Sequence, residues 1–215
     1  MVTFNNTALD NADGPLPTID SPASGSTFPI GVTSVTVSAT DAAGNTATGV
    51  FTVNVQDTTP PALTLSANMT LEATGPTGAV ATFNNTALDI VDGVVATSDS
   101  PASGSTFALG TTTVNVSATD AAGNVSNGSF TVTVQDTTAP DLTVSANLIV
   151  EATGPDGANV TFSNSATDIV DVTVTPVATP ASGSLFALGT TTINVSATDA
   201  AGNVSNGSFT VTVQD

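Results

Sequence analysis

The stretch SATDAAGNVSNGSFTVTVQD at residues 117–136 returns unchanged at residues 196–215. Within it, Phe130, Val132 and Val134 alternate with Thr131, Thr133 and Gln135. A period of two marks a strand with one buried face, because successive side chains point to opposite sides of a sheet. The DAAGN segment before it supplies Asp, Gly and Asn, which favour turns and tolerate positive φ. Further back, Val114, Val116 and Ala118 alternate with Asn115 and Ser117. Together these residues read as strand, tight turn and strand, with Val and Thr suited to a half-buried pleated surface.

Working outward, the spacing of 79 recurs along the chain. It separates Phe28, Phe107 and Phe186, and it separates Asp41, Asp120 and Asp199, each of which opens a DAAGN. Two complete repeats follow, 57–135 and 136–215, while TFNNTALD at 3–10 matches residues 82–89. The first copy, residues 1–56, therefore lacks the counterpart of residues 57–79, and its first strand with it. We read the chain as a segment of a longer repetitive protein. Self-similarity at a fixed period signals tandem modules. No segment carries a helical stripe, and short strands separated by Gly or Pro clusters argue for a β-sandwich in each repeat. The expected fold is all-β: tandem immunoglobulin-like β-sandwiches in a head-to-tail rod. In the second repeat the strands are expected at 62–71, 79–84, 93–98, 99–103 (the least defined), 104–108, 112–119 and 125–135. Phe83, Phe107 and Phe130 are the expected core anchors.

Composition removes whole classes of function. The 215 residues include eighteen Asp or Glu and no Lys, Arg, His, Cys, Trp or Tyr, for a formal net charge of −18. Nucleic-acid binding needs Lys and Arg to displace phosphate counterions, and a polybasic membrane contact fails for the same reason. No apolar run approaches the ~20 residues of a membrane helix, so no direct membrane insertion is expected. Ser–His, Cys–His and Lys nucleophiles are impossible, as are His- or Cys-ligated metals. What remains is carboxylate, hydroxyl and amide oxygen, the donor set of hard cations. A carboxylate-only hydrolase needs just two acids, but three near-identical copies of one active site would be odd. The chain reads as non-enzymatic.

Fourteen of the eighteen acids fall at five repeat positions: Asp10, Asp89 and Asp168; Asp13, Asp92 and Asp171; Asp41, Asp120 and Asp199; Asp57, Asp136 and Asp215; Glu72 and Glu151. In DNADG, DIVDG and DIVDV both acids persist while the residues around them change. With alternating strand directions, the turns carrying Asp89 and Asp92, and Asp120 and Asn124, lie beside Asp57. At the next junction Asp136, Asp168, Asp171 and Asp199 should meet Glu72, with Asn203 as a neutral ligand. This grouping depends on the strand at 99–103, whose loss would change the parity. Carboxylates sharing a small volume without Lys or Arg must bind a cation, take up protons or be kept apart by solvent. Ca²⁺ takes about 6–8 oxygens in irregular geometry, whereas Mg²⁺ insists on a near-ideal octahedron. Calcium is the expected cofactor, and these sixteen residues, Asn124 and Asn203 included, are its candidate ligands. The competing readings are an acidic solvated rim and, for DAAGN, a good hairpin loop. Ten Asn-x-Ser/Thr sequons occur, with outward-facing Asn115 and Asn194 as candidate glycan acceptors.

The run from DTTPP (57–61) through SPASGSTFALGTTTVNVSATDAAGN (100–124) to SFTVTVQD (129–136) resembles the hyalin repeat, or HYR domain, and the resemblance spans essentially the whole chain. It implies an immunoglobulin-like sandwich of extracellular adhesion proteins and large bacterial surface proteins. Animal members usually carry a disulfide, so the lack of Cys points to a prokaryotic version. Similar bacterial arrays are stiffened by calcium at their junctions. The expected function is an extracellular, cell-surface structural or adhesive segment forming a calcium-rigidified stalk, fibre or filament. Its expected partners are calcium ions, neighbouring repeats and homotypic filament or matrix assembly. The alternative is a glycan-binding module, although the sugar platforms Tyr and Trp are missing.

Overall fold

The computed structural model describes all 215 residues, and every regular element in it is a strand. The first repeat contributes β1 (Ala8–Asp10), β2 (Gly14–Leu16), β3 (Ile19–Ser21), β4 (Gly31–Thr40) and β5 (Thr46–Val55). The second contributes β6 (Ala62–Thr64), β7 (Met69–Glu72), β8 (Ala79–Val80), β9 (Thr86–Asp89), β10 (Gly93–Val95), β11 (Thr97–Ser100), β12 (Thr106–Phe107), β13 (Gly110–Thr119) and β14 (Val125–Gln135). The third contributes β15 (Asp141–Thr143), β16 (Leu148–Glu151), β17 (Ala158–Asn159), β18 (Ser165–Thr167), β19 (Val177–Thr179), β20 (Leu185–Phe186), β21 (Gly189–Thr198) and β22 (Val204–Gln214). Backbone contacts divide the chain into two compact units that do not coincide with the repeats. One comprises Met1–Ala62, Ala87–Val95 and Thr119–Ser126; the other comprises Leu63–Thr86, Ala96–Ala118 and Asn127–Asp215.

The second unit contains the whole third repeat, where the sandwich is seen most directly. One layer is the four-stranded sheet β16-β22-β21-β19; β15 pairs with β18 and β17 with β20 outside it. The long hairpin β21–β22 places Ile193, Val195, Phe209, Val211 and Val213 on its buried face, against Ala158, Val160 and Phe186. The period-two pattern therefore chose the face correctly. The body of the second repeat repeats this plan, with sheet order β11-β13-β14-β7 and buried Phe107, Val114, Val116, Phe130, Val132 and Val134. One member of that cluster comes from the third repeat: Val170, only 9 % exposed.

Several of the expected strands need correcting. The first strand of a repeat is not continuous: β15 belongs with β18, while β16 runs parallel to β22. Between them the chain changes sheets, with Ser145 N–H donating to Asn164 Oδ1 at 2.9 Å. Of the second expected strand, 79–84, only β8 is a strand, and the leg resumes as β9. The strands expected at 93–98 and 99–103 are seen as β10 and β11, and no strand covers 101–103. Even so, the direction of the chain does not change there. In the third repeat β19 is antiparallel to β21, and β20 is antiparallel to β17. With β17 and β18 as one descending leg, β19 and β20 ascend in succession, the intervening turn crossing between layers without reversing. The repeat makes five passes, and the turns at 168–171 and 199–203 lie at the end where it begins.

In the first unit, β3-β4-β5 form one sheet and β1–β2 a separate hairpin. Residues 1–56 do not span the positions that correspond to β6 and β7. In the second repeat β7 pairs with β14 from Val132 to Gln135. The corresponding residues of β5 have no such neighbour, and Phe51, Val53 and Val55 are only half-buried. Phe4 packs edge-on against Phe51 at 4.9 Å, the contact that Phe83 and Phe130 make in the second repeat.

Two backbone positions generate predictions. Gly157 has φ +111, and a Cβ there would collide with the Phe186 carbonyl, so the close pairing of β17 with β20 requires glycine. Gly157→Ala should destabilise the third repeat by about 2–3 kcal/mol or more, read as a lowered Tm in thermal unfolding. Val172 has φ 49, where the matching residues are Gly14 and Gly93 at φ 77 and 74. A β-branched residue in that region is strained by ~1–2 kcal/mol. Correspondingly, the paired strands β1–β2 and β9–β10 are reduced in the third repeat to a bridge between Ala166 and Val174. Val172→Gly should raise Tm slightly, gaining about 1 kcal/mol or less after the entropy cost of glycine.

Candidate metal centre

Each Asp-x-x-Asp turn is built by its own first acid. Asp89 Oδ1 accepts from Val91 N–H at 2.7 Å and Asp92 N–H at 3.0 Å, and Asp168 Oδ1 does the same with Val170 and Asp171. Asp10 repeats the arrangement with Ala12 and Asp13. Asn-Ala and Ile-Val can both stand between the acids because the turn itself uses backbone N–H groups. The second acid reaches across to the DAAGN turn: Asp92 Oδ2 accepts from Ala121 N–H, Asp171 Oδ2 from Ala200 N–H and Asp13 Oδ2 from Ala42 N–H.

The DAAGN turn closes on itself. Asp120 Oδ1 accepts Asn124 N–H at 2.7 Å and Oδ2 accepts Asn124 Nδ2 at 2.8 Å; Asp199 with Asn203 and Asp41 with Asn45 match it. The Asn amide also donates to the linker, Asn124 to the Asp57 carbonyl and Asn203 to that of Asp136. Ser126 and Ser205 hydroxyls donate to the carbonyls of Pro61 and Pro140. These two serines were missed in the sequence, where they look like ordinary strand residues. Another missed contact is Asn85 Nδ2 to Asp99 Oδ1 at 2.9 Å, repeated by Asn6 and Asp20; Asp20 and Asp99 stand 79 apart but have Ala178 as their third counterpart.

These turns gather acids at two places, one in each compact unit. Asp57, Asp89, Asp92 and Asp120 each offer a carboxylate oxygen within 4.8 Å of the others, and Asp136, Asp168 and Asp171 do likewise. Asp199 lies close enough for its charge to act on Asp136. Asp57 Oδ1 accepts Thr59 N–H and Asp136 Oδ1 accepts Thr138 N–H. The other oxygens of Asp57, Asp89, Asp136 and Asp168 are buried and have no hydrogen-bond partner. Asp89 is 4 % exposed and Asp136 is 8 % exposed. Each junction thus holds two carboxylates with one oxygen fixed by backbone and the other buried without a partner.

Electrostatics follow this division. Burial pushes the Asp136 carboxyl above its ordinary range against the Thr138 N–H, and the charges of Asp168, Asp199 and Glu72 add to the rise. Burial also opposes charge on Asp120 and Asp199, but hydrogen bonds from Asn124 and Asn203 outweigh it, and both carboxyls sit below the ordinary range. Asn45 lowers Asp41 in the same way. An oxygen-only donor set with unpartnered buried oxygens fits a hard divalent cation.

The remaining expected ligands fall outside the two gatherings. Asp10, Asp13 and Asp41 occupy the same turn positions but have no linker acid facing them. Glu151 and Asp215 are exposed, and neither joins either set. Glu72 is also outside, its carboxylate taken by Thr137 and Thr138. The amide nitrogens of Asn124 and Asn203 tie the turn to the linker.

Comparison with known proteins adds an independent line. The HYR domain profile matches residues 1–55, 56–134 and 135–213. Hyalin of Strongylocentrotus purpuratus is 36 % identical over 207 residues, covering 88 % of this chain, and hyalin of Lytechinus variegatus is 33 % identical over 218 residues, covering 96 %. The chain spans 17 % and 41 % of the lengths of those two proteins. The serine-rich adhesin for platelets of Staphylococcus aureus is 32 % identical over 111 residues, 47 % of this chain and 5 % of that protein. The solved cis-dimer structure of protocadherin gammaB7 EC3-6 covers 97 % of this chain, and the chain covers 63 % of it, at 18 % identity and TM-score 0.36. That likeness is too distant to bear on site or function. Three successive matches over nearly the whole sequence establish that the chain belongs to the HYR domain family.

Proposed function

We propose that the chain is a non-enzymatic segment of an extracellular or cell-surface structural and adhesive array whose repeat junctions bind Ca²⁺ and are stiffened by it, as in a stalk, fibre or filament. The observation that carries this reading is the pair of unpartnered buried carboxylate oxygens at each junction. A buried charge without a partner costs several kcal/mol, and this chain has no Lys, Arg or His to supply one. At the first junction the ligands are Asp57, Asp89, Asp92 and Asp120. At the second they are Asp136, Asp168 and Asp171, with Asp199 beside them. Bound calcium would offset two of the negative charges in each set and link the linker acid to both turns of the following repeat. Hyalin and the platelet adhesin are similar to this chain in sequence, and the adhesin's name supports an adhesive setting. A glycan-binding role finds less support: Phe83 and Phe130, and Phe162 and Phe209, stack edge-on within their own repeats at 4.9 Å.

Calcium should raise Tm and EDTA should lower it. At a hundredfold excess over Kd each site adds about 2.7 kcal/mol. Asp89→Asn combined with Asp168→Asn should remove most of that gain, measured by calorimetry with and without calcium. Identical melting and identical small-angle scattering in the two conditions would reject the calcium reading.

Acid should act with two signs. Glu72, Asp120 and Asp199 have lowered folded pKa values. Their contribution is present above the ordinary values of 4.5 for Glu and 3.8 for Asp, and disappears as pH falls through the depressed ones. Asp136 is raised above its ordinary 3.8, so its contribution is present below 3.8 and is lost as pH rises through the raised value. Asp136→Asn should therefore raise Tm at pH 7 in EDTA while shrinking the calcium-induced gain, a sign reversal that paired melting curves would show.

A further inference from the structure

We propose that Glu72 is a positioning residue, a hydrogen-bond clamp that holds the linker between the second and third repeats, and is not a ligand of the cation. Its repeat position alone would place it among the ligands, yet Asp136, Asp168 and Asp171 come together without it. Both of its oxygens are already engaged. Oε1 accepts from Thr137 N–H at 2.7 Å and from the Thr138 hydroxyl at 3.0 Å, while Oε2 accepts from the Thr137 hydroxyl at 2.8 Å.

The geometry around the carboxylate suits this role. Glu72 ends β7, whose ladder pairs Glu72 with Gln135 at the end of β14, and Ala73 N–H donates to the Gln135 carbonyl at 2.8 Å. The clamp therefore starts where the sheet stops and extends its order by two residues. Asp136 holds Thr138 N–H from the other side at 3.1 Å. Thr137 and Thr138 thus supply an N–H and two hydroxyls to one carboxylate, which gives the Thr-Thr pair of the linker a purpose that a flexible spacer would not need. Asp57-Thr58-Thr59 repeats the motif, and Thr59 N–H reaches Asp57 in the same way. The clamp stands whether or not the junction holds Ca²⁺, because none of its contacts involves the unpartnered oxygens.

The test uses the full chain and two readouts, amide exchange at Thr137 by NMR and calcium affinity by titration calorimetry. Glu72→Ala should accelerate Thr137 exchange on the order of tenfold or more, in EDTA as well as in calcium, because a hydrogen bond to a charged acceptor is lost. Core amides such as Val132 should stay protected, showing that the repeat remains folded. Glu72→Gln should keep most of the Thr137 protection, since its carbonyl can accept from the N–H and its amide can donate to a Thr hydroxyl. Calcium affinity should change by less than about threefold in both variants, against roughly tenfold or more for Asp168→Asn. Thr137→Val with Thr138→Val removes the two hydroxyl bonds but keeps the N–H bond, so it should accelerate exchange at residue 137 less than Glu72→Ala does, and adding Glu72→Ala to it should bring exchange to the Glu72→Ala level. Unchanged Thr137 exchange in folded Glu72→Ala would overturn the clamp. An affinity loss in Glu72→Gln equal to that of Asp168→Asn would overturn the exclusion of Glu72 from the ligand set. If the wild-type chain binds no calcium, the proposed function fails while the exchange measurement still decides the clamp.

Discussion

Carboxylates in this chain have no cationic side chain with which to pair. In most proteins a buried Asp finds Arg, Lys or a protonated His; here every such residue is absent, and the work falls to backbone N–H groups, Asn amides and Thr hydroxyls. Those donors are dipoles. They fix an oxygen in place and hold some pKa values down, but they do not cancel a net charge. Asp136 shows where the dipoles run out, with one N–H on one oxygen, burial around the other and four carboxylates nearby.

The same donors explain why the acidic turns survive changes around them. Asp89 and Asp168 organise their turns through the N–H groups two and three residues on, so Asn-Ala and Ile-Val serve equally between the paired acids. The Asn that closes the second and the third DAAGN turn, Asn124 and Asn203, also reaches the carbonyl of the linker Asp. Each linker is thus attached to the repeat that follows it by Asn and Ser, and the second linker is attached to the repeat before it by Glu72. The ordered linker follows from polar contacts whose partners lie 65 to 67 residues apart in sequence.

Much of the fold was legible because the period-two pattern and the 79-residue spacing are both one-dimensional signals. The long strands at 110–119 and 125–135 agree with it closely. The switch between sheets after Thr143 was not legible, since it depends on an Asn164 side chain far along the chain. The strand expected at 99–103 is seen instead as β11 at Thr97–Ser100, and the chain runs on to β12 by crossing between layers without reversal, so the grouping at the beginning of the repeat persists. Spacing could place Glu72 near the second junction, but only side-chain geometry separates an acid committed to Thr137 and Thr138 from one with an oxygen to spare. Ser126 and Ser205 left no signal, because a hydroxyl is useful only relative to the carbonyl it meets.

Val170 belongs by sequence to the third repeat and by packing to the apolar cluster of the second. The modules of this array are therefore not separable beads: part of what stabilises one repeat is encoded in the next. In such a system the cooperative unit is offset from the genetic unit, and neighbour coupling enters the stability of each member. An isolated repeat cut at its sequence boundaries would lose a buried side chain it does not itself encode, and lengthening the array would restore it.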